Sequence, residues 1–134
     1  MAASEHRELD PRDTKELPIV LRCLDLVTWL METTARMPKH WRPTLVQRID
    51  HEAQEVLLLL TEASYRRRKA DVLRRANLAL SRLRMLLELA LRLKALAPGT
   101  HGHALVALDE VGRMLGGWLR SVTRREGRRG DADE

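Results

Sequence analysis

Apolar residues recur along this chain at steps of three and four, the spacing of one helical face. Four such segments stand out. The first is predicted over Leu17 to Met37, with Pro18 tolerated in the opening turn and Val20, Leu24, Val27 and Met31 as the apolar face. Pro38 and Pro43 bracket the next connection, because the residue before a proline avoids helical geometry. The second segment, Thr44 to Ala63, carries a heptad-like seam of Val46, Ile49, Ala53, Val56, Leu60 and Ala63. Leu45, Leu57, Leu58 and Leu59 widen it. The third, Arg67 to Ala97, has a main stripe of Leu73, Ala76, Leu80, Leu83, Leu87 and Ala90, broadened by Leu78, Met85, Leu86, Leu89 and Leu93. The fourth, His103 to Thr123, has Ala104, Leu108, Val111, Leu115, Trp118 and Val122 in line. Gly112, Gly116 and Gly117 interrupt it, each at a cost of about 1 kcal/mol against alanine. Their presence predicts a backbone passing close by, with Trp118 packed in the core where Gly116 and Gly117 leave room.

Four amphipathic helices with short connections predict an all-α fold, an antiparallel up-down four-helix bundle over residues 17–124. Residues 1–16, with five acidic and three basic side chains and little apolar pattern, are expected to form a disordered arm. Residues 125–134 are expected to be a disordered tail. The length of 134 residues fits one domain. The second and third segments carry more apolar surface than one four-helix core requires, which predicts self-association. No apolar run approaches the roughly 18–20 residues of a membrane span, and the chain begins without the apolar stretch of a secretory signal. A cytoplasmic location is expected. Cys23 is the single cysteine, so no intrachain disulfide forms, and it reads as a small core residue.

Charge changes the picture at the third segment. From Tyr65 to Lys94 there are ten basic residues and two acidic ones, an excess larger than the +5 of the whole chain. Such concentration points to a polyanionic partner. The candidate nucleic-acid contacts are Arg66, Arg67, Arg68, Lys69, Arg74, Arg75, Arg82, Arg84 and Arg92. Arginine suits phosphate because its planar fork binds two oxygens and stays charged. A GC-rich gene is an equally good account of arginine over lysine, although not of the clustering. Two other readings of the ridge stay open. Arg84 and Arg92 each lie four residues from Glu88, a helix-surface pairing distance. The acidic second segment, with Asp50, Glu52, Glu55 and Glu62, also complements the basic third.

Pro38-Lys39, Arg42, Leu45 and Arg48-Ile49-Asp50 resemble the turn and second-helix start of the accessory variability determinant (Avd) family of diversity-generating retroelements. Glu110-Val111-Gly112-Arg113-Met114-Leu115-Gly116-Gly117-Trp118 is similar to that family's fourth-helix signature. Ala63-x-Tyr65 and the leucine ladder fit the region between, so the resemblance spans about Leu17 to Leu119. It implies a small four-helix bundle assembled as a ring-shaped homopentamer. It also implies association with the retroelement's reverse transcriptase and binding of RNA or DNA through a basic surface. The family's role is in mutagenic copying of a template repeat, without catalysis of its own. A sister group of similar bundles is encoded inside ribosomal RNA intervening sequences. That relative and a purely protein-binding scaffold are the alternatives.

No catalytic constellation appears, and no enzyme activity or cofactor is expected. His51-Glu52 opens a metalloprotease-like string, but Glu55 stands where the second histidine belongs. His101 and His103 have no third ligand nearby, so no metal site is expected. Trp41, between two prolines, reads as a plug for one end of the bundle, with base stacking as the alternative.

Overall fold

Each predicted apolar segment folds as a helix. The computed structural model describes residues 16–133, with side chains through Arg128. Helix α1 is Glu16–Thr34, α2 is Gln47–Tyr65, α3 is Ala70–Arg92 and α4 is Pro98–Asp133. No strand occurs among the described residues. Residues 1–15 of the expected arm lie outside them, and Glu16 is already the first residue of α1.

Each helix packs on its sequence neighbours, and α1 closes against α4. The seams read from α2, α3 and α4 are all buried, from Ile49 and Leu60 through Leu73, Leu80 and Leu87 to Leu108, Leu115 and Trp118. Between α1 and α2, a short 3-10 turn at Lys39–Trp41 runs into a π turn at Arg42–Val46. Pro43 sits in the first turn of the latter, where its missing N–H is no loss. Trp41 packs half-buried against the core, its ring 4.7 Å from that of His40.

Several boundaries and one phase differ from the pattern reading: α1 ends at Thr34 rather than Met37, α2 starts at Gln47 rather than Thr44, and α3 starts at Ala70 rather than Arg67. The inward face of α1 is Ile19, Cys23, Leu26, Val27 and Leu30, while Leu24 and Met31 are exposed. The stripe is thus rotated by about one residue from the one predicted. Helix α3 ends at Arg92 rather than near Ala97, because Lys94 adopts a left-handed conformation at φ 59°. The amides of Ala95 and Leu96 then turn back to bond the Ala90 carbonyl, a helix stop normally made with glycine. Helix α4 begins earlier than predicted and continues to Asp133, through the residues expected to be a tail. None of the helices among the described residues is long and apolar enough to cross a membrane.

Cys23 has no exposed surface, and burial pushes its thiol up to about 12. Reactivity requires the thiolate. A maleimide or disulfide reagent is therefore expected to leave the native protein unlabelled at neutral pH and to modify Cys23 only at the rate of unfolding. Prompt stoichiometric labelling of native protein would contradict this burial.

Candidate nucleic-acid interface

The basic turn between α2 and α3 is held from below by buried charge. Arg66 leaves α2 in an extended conformation, and Lys69 occupies the N-cap position of α3. The Lys69 side chain does not cap α3. It folds inward, where its Nζ donates to the carbonyls of Ala63 and Arg66 at 2.7 Å each. The same ammonium lies 3.1 Å from Oε1 of Glu16. Lys69 is 5% exposed and Glu16 2%. The predicted phosphate contact at Lys69 is therefore corrected: its ammonium is enclosed and already engaged by two carbonyls and a carboxylate.

A helix start with no side-chain cap of its own leaves amide donors to satisfy. Glu126 of α4 supplies the acceptors. The Lys69 amide donates to its Oε1 at 2.8 Å, and the Ala70 amide to its Oε2 at 3.2 Å. A carboxylate here also complements the positive end of the helix dipole. This contact, unforeseen in the sequence, brings the last part of α4 beside the Arg66–Arg68 turn. Arg124, Arg125 and Arg128 flank Glu126 along the chain, and Arg124 and Arg128 are exposed. Arg120, Arg124 and Arg128 repeat at steps of four, a signal present in the sequence whose last member fell in the segment read as tail.

The remaining predicted residues divide into two groups. Arg67, Arg68, Arg74, Arg75 and Arg82 are exposed and form no ion pair among the described residues. Arg66, Arg84 and Arg92 are paired. Arg66 donates to Glu62 at 2.9 Å and Arg92 to Glu88 at 3.2 Å, both across one helical turn. Glu88 also lies 3.4 Å from Nε2 of the buried His101. Arg84 does not join Glu88; it crosses to α4, 3.1 Å from Asp109 and within hydrogen-bond reach of the Leu108 carbonyl at 3.4 Å.

That crossing explains one of the three helical glycines. A Cβ at Gly112 would lie 2.9 Å from Arg84 Nη2 and 3.4 Å from a Leu80 methyl. The close neighbour is thus a guanidinium, not a backbone. Gly116 and Gly117 meet only Arg120 of their own helix, at 3.4 and 4.0 Å. Both lie under that guanidinium.

Elsewhere the polar groups are structural. Thr34 donates to Asp50 Oδ1 at 2.7 Å, tying the end of α1 to the start of α2. Partial burial raises the Asp50 carboxyl above its ordinary range, and the Thr34 hydrogen bond pulls it back. Among the described residues no group of three or more His, Cys, Asp and Glu side chains converges as a metal would require.

Four helices, a basic turn over a buried ion pair and the fourth-helix glycine signature now stand together. Residues 17–122 match the bAvd-like family. The chain belongs to the bAvd-like family. The match covers α1 to α3 and α4 as far as Val122. It stops short of Glu126 and the arginines around it. No protein of curated function matches the chain in sequence.

Proposed function

We propose that this bAvd-like chain is the non-catalytic accessory subunit of a diversity-generating retroelement. It binds the element's reverse transcriptase and its template RNA or cDNA, and supports mutagenic retrohoming. It works as a homo-oligomer, a pentameric ring of up-down bundles. The observation that carries the nucleic-acid part is the gathering of arginines at one end of the fold. Glu126 brings Arg124 and Arg128 next to the Arg66–Arg68 turn, and Arg67 and Arg68, unpaired among the described residues, stand at its tip. The buried Glu16 carboxylate is taken up by Lys69 beneath the turn, so the exposed guanidinium groups remain available to an outside anion.

Binding to such a surface depends steeply on salt, because each neutralised phosphate releases counterions. The wild-type chain is expected to bind generic RNA or single-stranded DNA at low salt. Replacing Arg67 and Arg68 by alanine is expected to lower the log–log salt slope by about 1.4, at about 0.7 per contact on a single strand. Fluorescence anisotropy across a salt series measures this. No binding even at low salt would sink the nucleic-acid reading. Capture of the reverse transcriptase in that case would assign the chain to the scaffold class.

A further inference from the structure

Large apolar side chains that the fold does not cover fall into long lines on two helices, while α2 exposes Leu58 and Tyr65 and α4 exposes Val106. On α1 they are Leu17, Leu21, Leu24 and Met31, and on α3 they are Leu78, Met85 and Leu89, with Leu93 at its C-cap. Leu21 is 50% exposed and Met85 70%. Leu17, Leu21, Leu24 and Met31 are separated by steps of four, three and seven, so they form one line along α1. The α3 residues form another by the same rule, interrupted only at Arg82. Each stripe is about 20 Å long at 1.5 Å per residue.

The edges of the stripes carry opposite charge. Asp25 follows Leu21 by four residues and Glu32 follows Thr28 by four, so both border the α1 stripe. Both are exposed and form no ion pair among the described residues. On α3, Arg74 and Arg75 precede Leu78 by four and three residues, and Arg82 follows it by four. These too are exposed and unpaired among the described residues. An acid-edged apolar line and a base-edged apolar line of equal length are complementary in both respects.

Their places in the fold determine the kind of contact. Helices α1 and α3 each pack on α2 and α4, so their outer faces point away from each other. One copy therefore cannot bring its own stripes together. A second copy can, and it leaves one stripe of each type free at the two ends.

We propose that the α1 stripe of one copy docks on the α3 stripe of the next, a head-to-tail contact that repeats until a ring closes. This rests on the self-association stated above and names the surfaces that make it. It also assigns Arg75 and Arg82 to the contact between copies, where they meet Asp25 and Glu32. Arg67 and Arg68, beyond the stripe, stay free for nucleic acid.

The test uses the full chain and two double variants, all read by sedimentation or light scattering at micromolar concentration. One variant carries Leu21→Gln and Leu24→Gln, the other Leu78→Gln and Met85→Gln. All four side chains are exposed, so helicity by circular dichroism should be unchanged. Each variant alone is expected to fall to the 15.4 kDa monomer. Mixed in equal amounts, they should form a one-to-one dimer and nothing larger, because only one live α1 stripe and one live α3 stripe remain. Reversal of Glu32 and Asp25 to arginine should weaken assembly, and Arg75→Glu with Arg82→Glu should restore it. Oligomeric wild type with variants that still assemble would overturn this contact alone. Self-association of one variant by itself would show a like-to-like contact and overturn it as well. A monomeric wild type would overturn the oligomer reading too, and loss of reverse-transcriptase capture in the variants would then give the stripe to that partner.

Discussion

Replacing Lys69 with alanine is expected to destabilise the protein by roughly 3–5 kcal/mol, the cost of removing one partner from a buried ion pair. The Nζ of Lys69 serves two carbonyls and the Glu16 carboxylate, all within 3.1 Å. Alanine takes the ammonium away from a carboxylate that is 2% exposed and from the two carbonyls that close the end of α2. Urea unfolding followed by circular dichroism measures the loss. The scale matters, because a domain of this kind typically has only about 5–15 kcal/mol in total. The paired replacement Glu16→Leu with Lys69→Met should recover much of the loss, since buried ion pairs often give way to apolar residues at little cost. Its recovery should stay incomplete, because the Arg66 carbonyl loses the Lys69 donor and the Ala63 carbonyl keeps only the Arg66 amide at 3.3 Å. Arg92→Ala is the control. Its ion pair with Glu88 is largely exposed, with an Arg92 side chain 77% accessible, and should contribute under about 1 kcal/mol. If Lys69→Ala cost no more than that control, the ion pair would have to be solvated in solution.

Trp118→Ala is expected to be comparably severe, at about 3–5 kcal/mol, the range for deleting a large aromatic side chain from a core. Trp118 is 1% exposed and among the largest buried side chains. Trp118→Phe should behave very differently. The indole Nε1 is buried and has no hydrogen-bond acceptor among the described residues. Phenylalanine removes that donor, whose burial costs about 1–3 kcal/mol when unmet. It also keeps most of the ring volume. The two changes offset, and the net effect should lie within about 1.5 kcal/mol of wild type. Thermal or denaturant melts of both variants decide it. A phenylalanine variant as damaged as the alanine one would mean that the indole nitrogen has a partner in solution.

The parts of the fold legible in the sequence were those where polarity alone separates inside from outside. On α2 the seam from Val46 to Ala63 is apolar, and polar residues such as Arg48, His51 and Gln54 occupy the exposed positions. On α1 that contrast fails. Apolar residues also fill the exposed positions Leu17, Leu21 and Leu24, so periodicity could not choose between two lines, and the predicted phase mixed them. The error has a physical cause in the uncovered stripe itself. The candidate site was legible as a cluster of basic residues but not in its parts. Nothing local distinguishes Lys69 from Arg68; burial of one follows from Glu16, more than fifty residues away in sequence. Arg84 had two acidic residues within reach, and helix packing selected Asp109 over Glu88. The end of α4 was misread because Gly127 and Gly130 weaken helix propensity, and the contact through Glu126 that ties it down is tertiary.

That same contact has a consequence for biosynthesis. Lys69 and Glu126 are 57 residues apart in the chain. While the protein is being made, α3 can coil soon after it emerges, but its first amides stay uncapped until Glu126 has been added. The basic turn, which α3 and α4 hold in place together, is thus completed late. A chain that has not yet added Glu126 would present those arginines on a loosely anchored loop, and their fixed arrangement needs both partners of the contact.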